Sequence, residues 1–150
     1  MKFSFRLERY RKWIAEQKAD LERSLRICRA EREESLKRLR QCEVDYTRLV
    51  NDLRRHVGQG VSPHQVRIFQ MFIDQADKMV RKEKGVVDQI EQRIEALLVR
   101  WRSCHQQEEV LDRLYQRRLQ EHLLETARQE QRQFDDWATL KGGGRRWTTS

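Results

Sequence analysis

At 150 residues the chain predicts a single domain, and 37% of its residues are charged against only 8% aromatic, with six glycines and one proline. Too few apolar side chains exist to fill a globular interior, whereas long helices meeting along a narrow seam need no more than this. The net charge of +8 directs attention to acidic partners. No apolar run approaches the ~20 residues of a membrane span and no secretory signal precedes the first helix, so a cytoplasmic protein is expected.

Disorder is the rival reading of such polarity, but disorder does not require periodic apolar spacing, and this chain has it. Residues 1–56 carry 16 basic and 10 acidic side chains, and the remainder is close to balanced. Acids and bases are interleaved, as in Glu31-Arg32-Glu33-Glu34 followed by Lys37-Arg38. That pattern suits local ion pairs better than a stripe tracking phosphates, so nucleic acid is not an expected partner.

The first element is a helix over about residues 3–56. A single heptad register places Leu7, Ile14, Leu21, Cys28, Ser35, Cys42, Leu49 and His56 at d, and Leu25, Leu39, Tyr46 and Leu53 at a. Arg11, Lys18 and Arg32 are polar exceptions at a. Such a helix is built to lie against a partner helix.

A turn over 57–62 ends it, because Gly58 and Gly60 tolerate left-handed backbone. Ser62-Pro63-His64-Gln65 then opens a second helix, with Ser62 as N-cap, Pro63 at the first helical position and Gln65 completing a capping box. A short turn between two long amphipathic helices makes them antiparallel neighbours. The expected fold is therefore all-α, an antiparallel coiled-coil hairpin.

The second helix, over about 63–140, carries its own register. Val66, Ile73, Val80, Val87, Ile94, Trp101 and Tyr115 take a; Phe69, Ala76, Ile90, Leu97, Cys104 and Leu111 take d. Glu83 and Glu108 interrupt the stripe, and Gly142-Gly143-Gly144 predict a flexible tail over 141–150. With the turn centred near 59–60, the first helix runs out opposite about residue 118. The longer second helix then overhangs with Leu123, Ala127, Phe134 and Trp137, which reads either as a docking segment or as a frayed extension. Arg6, Arg9, Arg11 and Lys12 form a basic collar beside its base. The same pairing keeps Cys28, Cys42 and Cys104 too far apart for a disulfide, as reduced seam residues.

Nothing here predicts catalysis. A two-helix hairpin has no interior in which to desolvate acids, bases or a nucleophile. His56, His64, His105 and His122 are scattered without metal-ligand spacing, and no phosphate-binding glycine motif occurs. No metal, cofactor or catalytic residue is expected. One surface feature is apolar beyond what a two-stranded seam requires: Phe72, Met79 and Val86 at g of the second helix, with Leu36, Val50 and Val57 at e of the first. It reads as a thickened seam or as a partner surface near the turn, with Tyr46 and Phe72 as aromatic anchors.

Several segments resemble the FliJ family of flagellar type III export proteins. These are Phe3-Ser4-Phe5-Arg6-Leu7, Gly58-Gln59-Gly60-Val61-Ser62, Gln70-Met71-Phe72-Ile73, Trp101-Arg102, and Gln131 through Asp135-Asp136-Trp137-Ala138. The likeness runs over about residues 3–140. It implies a hairpin similar to the central stalk of rotary ATPases, its terminal helices inserted into the hexameric export ATPase. It also implies a turn-side contact with the cytoplasmic region of the export gate protein FlhA, and binding of export chaperones. The gate surface implied by the resemblance maps to Leu39, Cys42, Tyr46, Phe72, Ala76, Met79 and Glu83. Cys42 and Glu83 depart from the aromatic and histidine types expected there. The docking end maps to Arg6, Arg9, Arg11, Lys12, Leu123, Ala127, Phe134 and Trp137. Two other readings share the helical pattern: the equivalent stalk of a virulence injectisome, and a self-associating structural coiled coil. Polar Arg11, Lys18, Arg32 and Ser35 at core positions speak against a uniform homomeric rod.

Overall fold

The computed structural model describes the backbone of residues 2–147 and the side chains of residues 2–142. Two helices, α1 (Glu8–Gly58) and α2 (Pro63–Trp147), make up the described residues apart from the N-terminal segment and the turn. They form an antiparallel helical hairpin with α2 the longer. The turn follows from its glycine: Gly60 sits at φ +79°, a conformation that costs an L-residue about 1–2 kcal/mol and glycine nothing. The N–H of Gln65 donates to Ser62 Oγ at 3.4 Å, so Ser62 caps α2 as its sequence position predicts.

Contacts divide the chain into two compact units: Lys18–Ser103, and the residues up to Gln17 together with those from Cys104 onward. In the first unit Leu25, Cys28, Ile90 and Ile94 form the buried core, with Val86, Leu97, Leu98 and Trp101 packed against it. Ser35, Val80 and Val87 are buried as well. All the buried residues of this unit occupy predicted a or d positions. Trp101 Nε1 donates to Glu22 at 3.1 Å and Arg93 pairs with Glu31 at 3.6 Å, which fixes the antiparallel sense. These pairs lie roughly four residues further along α2 than a turn centred on 59–60 gives; the connection Gln59–Ser62 moves that centre by one residue and so accounts for about two of them.

The second unit departs from expectation at its start. Residues 3–7 are not helical, and α1 begins at Glu8. The segment crosses α2 as a strap, its Phe3 ring 5.5 Å from Tyr115 and 5.4 Å from His122, and its Phe5 ring 5.4 Å from Tyr115. Arg6 and Leu7 form a turn closed by the Glu8 N–H donating to the Phe5 carbonyl at 3.1 Å, and the residues before it run at more than the ~1.5 Å per residue of a helix. The strap covers α2 as far as His122, so the uncovered part begins later than residue 119. Ile14 and Leu111, at 1% and 6% exposure, form the seam of this unit.

The tail expected over 141–150 falls partly within α2 and partly outside the described residues. α2 continues through Gly142 to Trp147, and residues 148–150 lie outside the described residues. Three glycines cost a helix about 1 kcal/mol each, but propagation from an existing helix adds one hydrogen bond per residue without a new nucleus.

Candidate functional site

Two surfaces carry the candidate residues, one in each unit. In the unit Lys18–Ser103, Leu39, Cys42, Tyr46 and Ala76 are half-buried at seam positions, whereas Phe72 and Met79 stand 55% and 44% exposed. Ile68, 41% exposed and four residues before Phe72, extends the same helical row. Sequence reasoning missed it, although the i, i+4, i+11 spacing of Ile68, Phe72 and Met79 was there to be read. The predicted widening therefore divides. Leu36, Val50 and Val86 are half-buried and thicken the seam; Phe72, Met79 and Val57 are exposed and form surface.

Glu83 belongs to the seam. Its side chain is only 14% exposed, and Arg38 Nε reaches it at 3.7 Å. Arg38 Nη2 also donates to Ser35 Oγ at 3.0 Å, with Ser35 fully buried. These three side chains replace an apolar layer with a polar one. The carboxylate faces inward, toward α1, rather than away from the hairpin.

In the other unit the basic collar is not uniform. Arg6, Arg9 and Lys12 are exposed. Arg11 turns inward, where its Nε donates to Asp112 at 2.9 Å, its Nη1 lies 3.4 Å from Glu8, and its guanidinium lies 4.3 Å from the Tyr115 ring centre. The hydrogen bond that Arg11 donates to Asp112 raises its already high pKa, so it is a fixed cation holding α1 to α2. Tyr10 and Trp13 stack at 6.0 Å on the outside of α1, each about half exposed, a pair that heptad reading passes over because it lies off the seam.

Beyond His122 the described side chains of α2 are exposed, apart from half-buried Thr126. Leu123, Phe134 and Trp137 are 58%, 62% and 54% exposed, and Ala127 is exposed. Phe134 and Trp137 lie 6.3 Å apart, and Lys141 Nζ sits 4.2 Å over the Trp137 ring. At 3.6 residues per turn, the row Leu123, Ala127, Phe134, Trp137 lies roughly 100° around α2 from the seam row Cys104, Leu111, Tyr115, His122. The exposed row is thus a separate face, not the seam continued past its partner. It begins at half-buried Leu119. Among the described residues no three His, Cys, Asp or Glu side chains gather as a metal would need, and no helix is long and apolar enough to cross a membrane. The three cysteines are free thiols.

Compared with known proteins, residues 3–146 match the sequence model of the family described as Flagellar FliJ protein. No curated protein and no solved structure matches the chain.

Proposed function

Since the chain belongs to the FliJ family and so to the flagellar type III export apparatus, we propose that it acts there as a non-enzymatic central stalk. The exposed face Leu123, Ala127, Phe134 and Trp137, with Arg6, Arg9 and Lys12, docks into the hexameric export ATPase. The row Ile68, Phe72 and Met79 contacts the cytoplasmic region of the export gate protein FlhA. Export chaperones are further partners of this reading, and attachment at the inner-membrane base of the flagellum runs through the partners. The flagellar description of the matching family favours this machine over an injectisome.

The observation that carries the reading is the exposed apolar row of α2 beyond His122. A helix that keeps a phenylalanine and a tryptophan on one uncovered face holds binding energy that its own fold does not use. The gate arm rests on Phe72 and Met79, which are exposed while their a and d neighbours are half-buried. Arg11, Glu83, Leu39 and Cys42 support the reading only indirectly, by holding the helices that present these rows.

The test has two arms on purified protein. Deleting residues 124–150 should leave FlhA binding unchanged and sharply reduce stimulation and hexamerisation of the ATPase. Phe72→Ala with Met79→Ala should do the reverse, weakening FlhA binding by roughly 30-fold for a loss of about 2 kcal/mol. A truncated protein that stimulates as well as the full chain removes the docking role from the overhang. FlhA binding unchanged in the double variant removes the gate role from the row.

A further inference from the structure

We propose that the outer face of α1 between Arg26 and Arg55 is a docking ridge for an acidic α-helix of a partner protein. The interleaving of acids and bases along the sequence conceals it. At about 100° per residue, Arg26, Lys37, Arg48 and Arg55 fall within roughly 40° of one line, with Arg29 and Arg40 along its edge. The line lies opposite the seam row Cys28, Ser35, Cys42. Within that sector, from residue 26 to 55, Glu33 is the only carboxylate. The six bases are all exposed.

Their charge is not spent inside the fold. Glu31 pairs with Arg93 and Glu83 with Arg38, so acids beside the seam serve the joining of the helices. Lys37 has one exposed neighbour, Glu34, at 3.9 Å, a pair worth little in water. Among the described residues no ion pair joins Arg26, Arg29, Arg40, Arg48 or Arg55 to a carboxylate.

The spacing selects the partner. Arg26, Lys37 and Arg48 recur every eleven residues, as do Arg29 and Arg40. Eleven residues are close to three helical turns, about 16 Å, so the bases recur along α1 with little drift around it. An α-helix lying along the ridge with carboxylates on the same three-turn spacing meets each base in turn, and Val44, 50% exposed, supplies an apolar contact between them. A membrane is the poorer fit, since the sector holds no leucine or aromatic side chain to enter lipid. Duplex nucleic acid is poorer too, because Glu33 sits within the ridge and Glu34 and Asp52 on its rim, against a continuous line of phosphates.

The probe is a fluorescent alanine-rich helical peptide of ~33 residues carrying glutamate pairs every three turns. Its comparison is a peptide of identical composition with the glutamates spread around the helix. At ~50 mM salt the spaced peptide should bind the full chain at least about tenfold more tightly. The exposed substitutions Arg26→Gln, Lys37→Gln, Arg40→Gln and Arg48→Gln together should abolish that preference at unchanged helicity. Removing four bases elsewhere, with Arg67→Gln, Arg100→Gln, Arg113→Gln and Arg128→Gln, should preserve it. Equal binding of the two peptides overturns the proposal, as does equal loss in both variants. Tighter binding to phosphatidylserine vesicles or to a short DNA duplex than to the spaced peptide also overturns it, in favour of a surface for lipid or nucleic acid.

Discussion

The core around Leu25 and the helix beyond His122 both carry large apolar side chains and behave in opposite ways. Leu25, Cys28, Ile90 and Ile94 are 5–8% exposed, held between two helices. Leu123, Phe134, Trp137 and Leu140 are 54–76% exposed on one helix. In the core, apolar surface is removed from water at about 25 cal/mol per Å² and stabilises the hairpin. On the extension the same surface stabilises nothing until a partner covers it. Apolar content therefore does not distinguish fold from function in this chain; the presence of a facing helix does.

The sharpest way to break that comparison is to truncate one residue from each region. Ile94→Ala leaves a cavity among Leu25, Cys28 and Ile90 and should cost about 2–5 kcal/mol, read as a clear fall in Tm. Phe134→Ala, although it removes more side chain, should change stability by no more than about 0.5 kcal/mol. Equal losses in thermal melts would mean that the extension is covered within the protein, for instance by a second copy. Concentration-dependent melting would then identify that copy.

An intermediate effect is expected at the strap. Phe3 and Phe5 make three ring contacts with Tyr115 and His122, each worth about 0.5–1.5 kcal/mol. Phe3→Ala with Phe5→Ala should therefore cost about 2 kcal/mol locally. It should raise hydrogen exchange in α2 around residues 111–122 while leaving the Leu25–Ile94 core protected. Spread of the increase into that core would show that the strap supports the hairpin as a whole.

What the sequence made legible follows the same division. Heptad spacing identified the seam of both helices because burial against a facing helix imposes a 3.5-residue period, and Ile14, Leu25, Cys28, Val80, Val87, Ile90, Ile94 and Leu111 obey it. The turn was legible because Gly60 and Ser62 have local, stereochemical jobs. The strap was not, since Leu7 continues the heptad row toward the N-terminus and only the contacts of Phe3 and Phe5 with Tyr115 and His122 reveal it. Nor was the turn of the exposed α2 row away from the seam, because it emerges only when Leu123 and Phe134 are set against Leu111 and Tyr115 around one helix. Arg11 shows the limit of reading charge in one dimension: it sits in a basic run, yet Asp112, a hundred residues later, claims it.

The smallest expected effect concerns Glu83, whose placement in the seam sets it apart from exposed Phe72 and Met79. Its carboxylate is mostly withdrawn from water, and Arg38 repays little, because at 3.7 Å and 58% exposure that guanidinium remains largely solvated. A carboxylate in this position is desolvated without being fully compensated, and an apolar side chain of similar volume packs there without that cost. Glu83→Leu should therefore raise stability by about 1 kcal/mol, and Glu83→Gln should leave it within about 0.5 kcal/mol, both read from denaturant midpoints at constant m. Because the side chain faces α1, binding to the FlhA cytoplasmic region should be the same for Glu83→Leu as for the unaltered chain. A stabilised variant that no longer binds would move Glu83 from the seam to the partner surface. A destabilised one would show that the Ser35–Arg38–Glu83 layer holds the helices in register by its hydrogen bonds.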